Sequence, residues 1–251
     1  MVTATAPNPR EAETSESWNE KKRILVVLAH PDDPEFFCGA SIARWTAAGH
    51  EVHYCLLTRG ERGMSDKPVG LDEVKRIREG EERAAAGVLG VSSVCFLDFP
   101  DGYLMPSIEA RGEIVRVIRQ VQPDVVVTSD PTNYFPRVNY INHPDHRLAG
   151  EIALGAVFPA AGNRQFFPEQ IESEGLPLAS VKEIWITLTH QPSVALDVTS
   201  FWEKRIEALL QHKSQIPDPA ALRERQLTRR TPDSTPENPR FEDGFRRVML
   251  T

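Results

Sequence analysis

The chain has 251 residues, 40% hydrophobic and 26% charged, with a formal net charge of -7 and a pI near 5.6; a globular unit of this size buries a substantial core. The acidic balance repels phosphate and argues against nucleic acid or an anionic membrane surface as partner. No apolar run approaches the roughly 20 residues of a membrane span, Met1 to Glu20 lack the apolar core of a secretory signal, and Cys38, Cys55 and Cys95 form no C-x-x-C pair, so they read as free thiols in a reducing cytoplasm.

Residues 1–20, rich in Pro, Thr, Ser and Glu, read as a disordered tail. A strand is predicted over Arg23–Ala29, a helix over Glu35–Ala48 closed by Gly49, and a strand over Val52–Thr58. After the loop Arg59–Gly70 comes a helix, Asp72–Leu89, whose Val74, Ile77, Ala84, Ala85 and Val88 recur at helical spacing. A short strand Val94–Leu97 precedes the turn Pro100-Asp101-Gly102, then follow a helix Ile108–Val121 and a strand Val125–Thr128. Ile184–Thr189 and Val194–Leu196 are predicted to add edge strands. A helix Phe201–Gln215 opens on the capping-box pattern Ser200-x-x-Glu203 and ends before Pro217. Pro217–Arg240 reads as a meandering surface segment, and Phe241–Leu250 as a tail that docks back on the body. Strands alternating with helices predict one Rossmann-like α/β domain, mostly parallel sheet with helices on both faces. Its expected bounds are 21–216, with 217–251 as an extension packed on it.

The apolar run Ile24–Ala29 reads as a strand buried on both faces. Ligands of open α/β sheets bind beyond the carboxyl ends of such strands, and there the chain places His30-Pro31-Asp32-Asp33-Pro34. A second cluster, His143-Pro144-Asp145-His146, follows much later. His30 and Asp33 are spaced to share one ion, and His146 would complete a three-ligand set with a position left for water. A His-His-carboxylate zinc site lowers the pKa of bound water to about 7. Asp32 is left over beside it, suited to act as general base. His143, protonated, is suited to stabilise an oxyanion or protonate a leaving group. Each segment alone also reads as a polar turn or helix cap, but a buried cluster of unpaired carboxylates and imidazoles is costly without a metal. A metal-dependent hydrolase is the expectation.

The sequence resembles the PIG-L/LmbE-like family of metal-dependent N-acetylglucosaminyl deacetylases. The resemblance is carried by Ala29-His-Pro-Asp-Asp33, Thr58-x-Gly-Glu61-x-Gly63, Arg78-x-x-Glu81 leading to Ala85-Ala86-x-x-Leu89-Gly90, Pro100-Asp-Gly-x-Leu104, His143-Pro-Asp-His146-Arg147 and His212-x-Ser-Gln215. It implies His30, Asp33 and His146 as metal ligands, Asp32 as general base and His143 as a second catalytic histidine. It also implies Arg78, Glu61 and Asp101 at the substrate. The metal implied is Zn²⁺, with Fe²⁺ compatible with the same ligands. The implied reaction is removal of an N-acetyl group from an N-acetylglucosamine-type sugar or conjugate in the cytoplasm, by a protein that forms homo-oligomers. Two positions depart from the family pattern. Pro34 replaces the usual Glu after Asp-Asp, with Glu35 following, and Ile141 stands where some relatives carry a tyrosine. Read without the resemblance, Arg78 with Glu82 is an ordinary i,i+4 surface pair and His212 a packed or exposed histidine. Trp45, Trp185 and Trp202 read as core. Competing functions are an amidase on a related sugar or thiol conjugate, a two-ion metallo-phosphoesterase, and a non-catalytic sugar or nucleotide binder. The last is weakened because the first strand lacks G-x-G-x-x-G.

Overall fold

The computed structural model describes residues 13–235 and 237–250. Seven strands form one sheet: β1 (Arg23–Leu28), β2 (Glu51–Thr58), β3 (Ser93–Phe99), β4 (Val125–Ser129), β5 (Glu183–Thr187), β6 (Val194–Asp197) and β7 (Glu242–Met249), in the order β3-β2-β1-β4-β5-β7-β6. The first five strands are parallel, and β7 runs antiparallel to both β5 and β6. The helices are α1 (Asp33–Ala47), α2 (Leu71–Leu89), α3 (Ile108–Val121), α4 (Pro144–Gly155), α5 (Pro168–Glu172), α6 (Trp202–Leu209) and α7 (Pro219–Leu227).

Why β1 reads as an unbroken apolar run is plain from its two faces. Ile24, Val26 and Leu28 pack into one core with residues of α1, α2 and α6, whereas Leu25, Val27 and Ala29 pack into the other with α3 and α4. A strand covered on both sides has no polar face to show. In the first core Trp45, Trp185 and Phe245 pack mutually, with ring centroids 5.3–5.8 Å apart. Each such aromatic buries about 150–250 Å², worth roughly 4–6 kcal/mol as an upper bound.

Several expectations are corrected. Of the expected tail, residues 1–12 lie outside the described residues; beyond them the segment is docked. Glu13 bridges to Val194, Trp18 donates to Glu183 Oε1 at 3.0 Å, and Glu16 accepts from Arg44 Nε at 2.8 Å and Trp45 Nε1 at 3.0 Å. β5 is interior, because the C-terminal segment becomes a full strand between it and β6. The C-terminal segment does dock back on the body, as that strand. The capping box at Ser200 does not form: Asp197 Oδ1 takes the Thr199 N–H at 2.9 Å, a 3₁₀ turn fills Thr199–Phe201, and Glu203 pairs with Arg223 at 2.5 Å. α6 ends at Leu209, well before Gln215; Ser214 is instead pulled to Glu81 by two bonds of 2.7 Å. Within the expected meander, Asp218 caps α7 by accepting the Ala221 N–H at 2.9 Å, with Pro219 at its first turn.

Candidate active site and metal centre

β1 has β2 on one side and β4 on the other, so the chain winds away from β1 in opposite directions and leaves a crevice at its carboxyl end. The loops after β1, β2, β3 and β4 and the first turn of α4 meet there. They line a cavity of about 920 Å³ whose walls include His30, Asp32, Asp33, Arg78, Asp101, Asn142, His143 and His146. α4 reaches this depth because Gly150 lies against β4; a Cβ on Gly150 would sit 2.1 Å from the Ser129 carbonyl oxygen. Ser129 Oγ also donates to the His146 carbonyl.

Asp33 is the hub. Its Oδ2 accepts the His30 backbone N–H at 2.8 Å and faces His30 Nδ1 at 3.3 Å, while its Oδ1 faces His146 Nε2 at 3.1 Å. The far nitrogen of each imidazole is already assigned. Asn142 Nδ2 donates to the Asn133 carbonyl at 2.8 Å, so Asn142 Oδ1, 3.0 Å from His146 Nδ1, is the acceptor of that ring proton. Nε2 of neutral His146 then points a lone pair at a carboxylate. His30 Nε2 lies 3.1 Å from Asp101 Oδ1 and 3.4 Å from Asp145 Oδ2. A proton there leaves Nδ1 likewise facing Asp33 with a lone pair. Two ring nitrogens and the Asp33 carboxylate thus meet at one point, a donor set that suits a cation. Outer carboxylate and amide partners that fix ligand tautomers are a regular feature of metal sites. His30, Asp33 and His146 could hold the ion, and the donor atoms of His30, His143 and His146 lie within 4.8 Å of one another.

The same carboxylates and imidazoles act strongly on one another. Burial pushes the His30 pKa down, but Asp33, Asp101 and Asp145 outweigh it and raise it well above the usual value. Burial pushes Asp33 up, yet His146 and His30 hold it far below the carboxylate range. Asp101 behaves similarly; burial opposes, His30 and the Arg62 N–H prevail, and its pKa falls to about 2.

Asp32 sits at φ 91°, in the left-handed region, as the residue before α1. Non-glycine residues there cost about 1–3 kcal/mol and cluster at functional sites. Its N–H donates to Glu82 Oε2 at 2.8 Å and its Oδ2 accepts from Arg78 Nη2 at 3.0 Å. Burial raises the Asp32 pKa, with Arg78 pulling the other way. His143 caps α4, its Nδ1 accepting the Asp145 N–H at 3.2 Å. Burial and then the charges of His30 and His146 lower its pKa. With Nδ1 accepting, a ring proton of His143 sits on Nε2.

Arg78 is not the surface partner of Glu82. It is buried, and besides Asp32 it donates to the Gly60 and Pro31 carbonyls. Gly60 and Gly63 make room for it, since a Cβ on either would come within 2.7 Å of its guanidinium. Glu61 does not line the cavity; its Oε1 accepts the Asp101 N–H at 2.9 Å. Sequence reasoning missed the second layer. Asp145 accepts the Gly102 N–H at 2.7 Å as well as facing His30. Behind Asp32, Glu82, Glu35 and His212 form a fully buried group, with His212 Nε2 3.2 Å from Glu35 Oε2; burial pushes the Glu35 pKa up to about 8. The unusual Pro34-Glu35 order therefore places Glu35 behind the site. Its signal was the His212-x-Ser-Gln215 segment, whose meaning depends on a contact across the fold.

A mostly parallel α/β sheet with this His-Asp-His cluster at its switch point is the setting of a protein suited to metal-assisted attack of water. Residues 25–157, more than half of the chain, match the PIG-L family, described as GlcNAc-PI de-N-acetylase, and the chain belongs to that family. It is 36% identical over 204 residues to a diacetylchitobiose deacetylase of Thermococcus kodakarensis, covering 81% of this chain and 74% of that one. It is 33% identical over 187 residues to a 1D-myo-inositol 2-acetamido-2-deoxy-alpha-D-glucopyranoside deacetylase of Kineococcus radiotolerans, covering 62% of this chain but only 50% of that protein. Among solved structures, the N,N'-diacetylchitobiose deacetylase of Pyrococcus horikoshii superposes with a TM-score of 0.81 at 30% identity, over 92% of this chain and 85% of that one.

Proposed function

We propose that this protein is a zinc-dependent N-deacetylase of the cytoplasm that removes the acetyl group from an N-acetylglucosamine-type sugar or sugar conjugate. The observation that carries the reading is the meeting of the His30 and His146 rings on the Asp33 carboxylate beside the strained Asp32. His30, Asp33 and His146 are the ligands in this reading, and two nitrogens with one carboxylate oxygen suit Zn²⁺, with Fe²⁺ compatible. When bound, the ion supplies Lewis acidity to the acyl group and the attacking water.

The chain's own residues do the rest. Asp32 takes the proton from water at its carboxylate, and its buried setting moves its basicity toward the working pH. Arg78 holds that carboxylate in place. The His143 Nε2–H donates to the carbonyl oxygen as charge develops on it, and protonated Asp32 returns its proton to the leaving amine. A set of two imidazoles and one carboxylate at the cleft suits amide hydrolysis through a single ion. Exposed Phe135, Val138 and Ile141 on the cleft-side loop support a homo-oligomer, which light scattering on the purified protein checks. The three free cysteines support the reducing compartment.

The test is acetate release from N,N'-diacetylchitobiose and simple N-acetylglucosaminides before and after chelation, with Zn²⁺ and Fe²⁺ added back. Metal-restored hydrolysis is expected; metal-replete protein inert toward every N-acetyl sugar would overturn the reading.

A further inference from the structure

Arg137, Arg225 and Arg229 line the same cavity as His30, Asp32 and His146. They come from separate places: Arg137 from the loop after β4, Arg225 from the last turn of α7, and Arg229 just beyond it. Several arginines elsewhere pair with a carboxylate, as with Arg44 and Glu16, Arg116 and Glu174, or Arg247 and Glu183, all at 2.8–2.9 Å. Among the described residues, none of these three has a carboxylate within 4 Å. The acidic group that acts on Arg229 is Asp243, and it is engaged. Its Oδ1 lies 3.2 Å from Arg205 Nη1, and its Oδ2 accepts from the Ser41 N–H and Oγ at 3.0 and 2.8 Å.

The charges are close enough to be felt. Burial first, then Arg205, Arg137 and Arg225, push the Arg229 guanidinium down to about 10. Three cations on the wall of one cavity, in a chain of net charge -7, are an arrangement that an anion relieves. Guanidinium forks bind carboxylate and phosphate bidentately, with bonds about twice as strong as neutral ones. A neutral ligand would leave the repulsion standing.

We propose that Arg137, Arg225 and Arg229 form a subsite for an anionic group, carboxylate or phosphate, carried on the substrate away from its N-acyl group. The preferred substrate is then an acidic conjugate of an N-acetyl amino sugar. This rests on the deacetylase reading above and deepens it. The segment after residue 217 thereby becomes the element that selects the conjugate.

The experiment compares kcat/KM for the carboxymethyl glycoside of N-acetylglucosamine with that for its isosteric carboxamide. N-acetylglucosamine 1-phosphate serves as the phosphate arm and N,N'-diacetylchitobiose as a neutral reference. The metal-replete wild type should favour one or both anions by at least about tenfold, the factor one charge-assisted hydrogen bond is worth. The advantage should reside in KM and shrink with added salt. The better anion identifies the group. In R225Q/R229Q the acid-to-amide ratio should fall toward one, and R137Q, on an exposed loop, gives the same readout if the double variant folds poorly. A wild-type ratio near one for both anions, or a ratio that survives both variants, would overturn the subsite. Amine release from none of the four compounds would instead overturn the deacetylase reading.

Discussion

Replacing Asn142 by Ala isolates the outer partner of a proposed metal ligand. Asn142 is 2% exposed and joins two groups: its Oδ1 receives the His146 ring proton at 3.0 Å and its Nδ2 donates to the Asn133 carbonyl at 2.8 Å. Alanine removes both. The imidazole is then free to turn or to change tautomer, and losses of such partners cost about 10–100-fold in metal affinity, or roughly 1.4–2.8 kcal/mol. Leaving the Asn133 carbonyl unpaired costs a further 1–3 kcal/mol or so in folding, so stability is measured separately by thermal melting of the metal-free protein. Zinc affinity is read by competition with a chromophoric chelator. Asn142→Asp keeps an acceptor toward His146 and should recover most of the affinity, although not the lost bond to Asn133. An N142A protein that melts lower but binds zinc as tightly as wild type would refute the idea that Asn142 acts through His146.

Asp32→Asn keeps the shape at φ 91° but removes the proposed base, so kcat should fall about 10²–10⁴-fold with zinc content unchanged by elemental analysis. Gly150→Ala drives a methyl to within 2.1 Å of the Ser129 carbonyl oxygen; overpacking of about 1–3 kcal/mol or more should lower the melting temperature and, by lifting α4, the activity. Glu16 supplies a pH signature. Burial opposes its ionisation, but Arg44 and Trp45 outweigh burial and hold its pKa below normal. A depressed folded-state pKa gives stability that is present above the ordinary carboxylate pKa and is lost as pH falls through the folded one. Melts of E16Q should therefore lie below wild type at neutral pH and converge with it in acid; a constant gap would contradict the assignment.

What could be read from the sequence was whatever local pattern determines. Ile24–Ala29 and the helical spacing of Val74 to Val88 carried their elements almost to the residue, and the two His-Pro-Asp clusters meet in the cleft. β7 was not legible as a strand because Arg246 and Arg247 interrupt its apolar pattern. In the fold the Arg247 guanidinium lies 5.4 Å from the Trp185 ring centroid and pairs with Glu183, an instance of tertiary context overriding propensity. Trp18 was the one sign that the polar N-terminal segment had somewhere to dock, with Trp185 at 5.3 Å. Asp145, Glu82, Asn142 and the three cleft arginines act through partners brought together only by the fold, so no spacing could reveal them. Asp218-Pro219, by contrast, was a helix-start signal in plain view that the surrounding Pro and Arg obscured.

The placement of β7 has a consequence for synthesis and handling. Because β7 fits between two strands that precede it in the chain, ribosome-bound chains lacking it carry β5 with a bare hydrogen-bonding edge and β6 held only by its bridge to Glu13. Exposed edges of that kind recruit other chains. Nascent or proteolysed forms ending near residue 240 should thus clump rather than persist as trimmed enzymes.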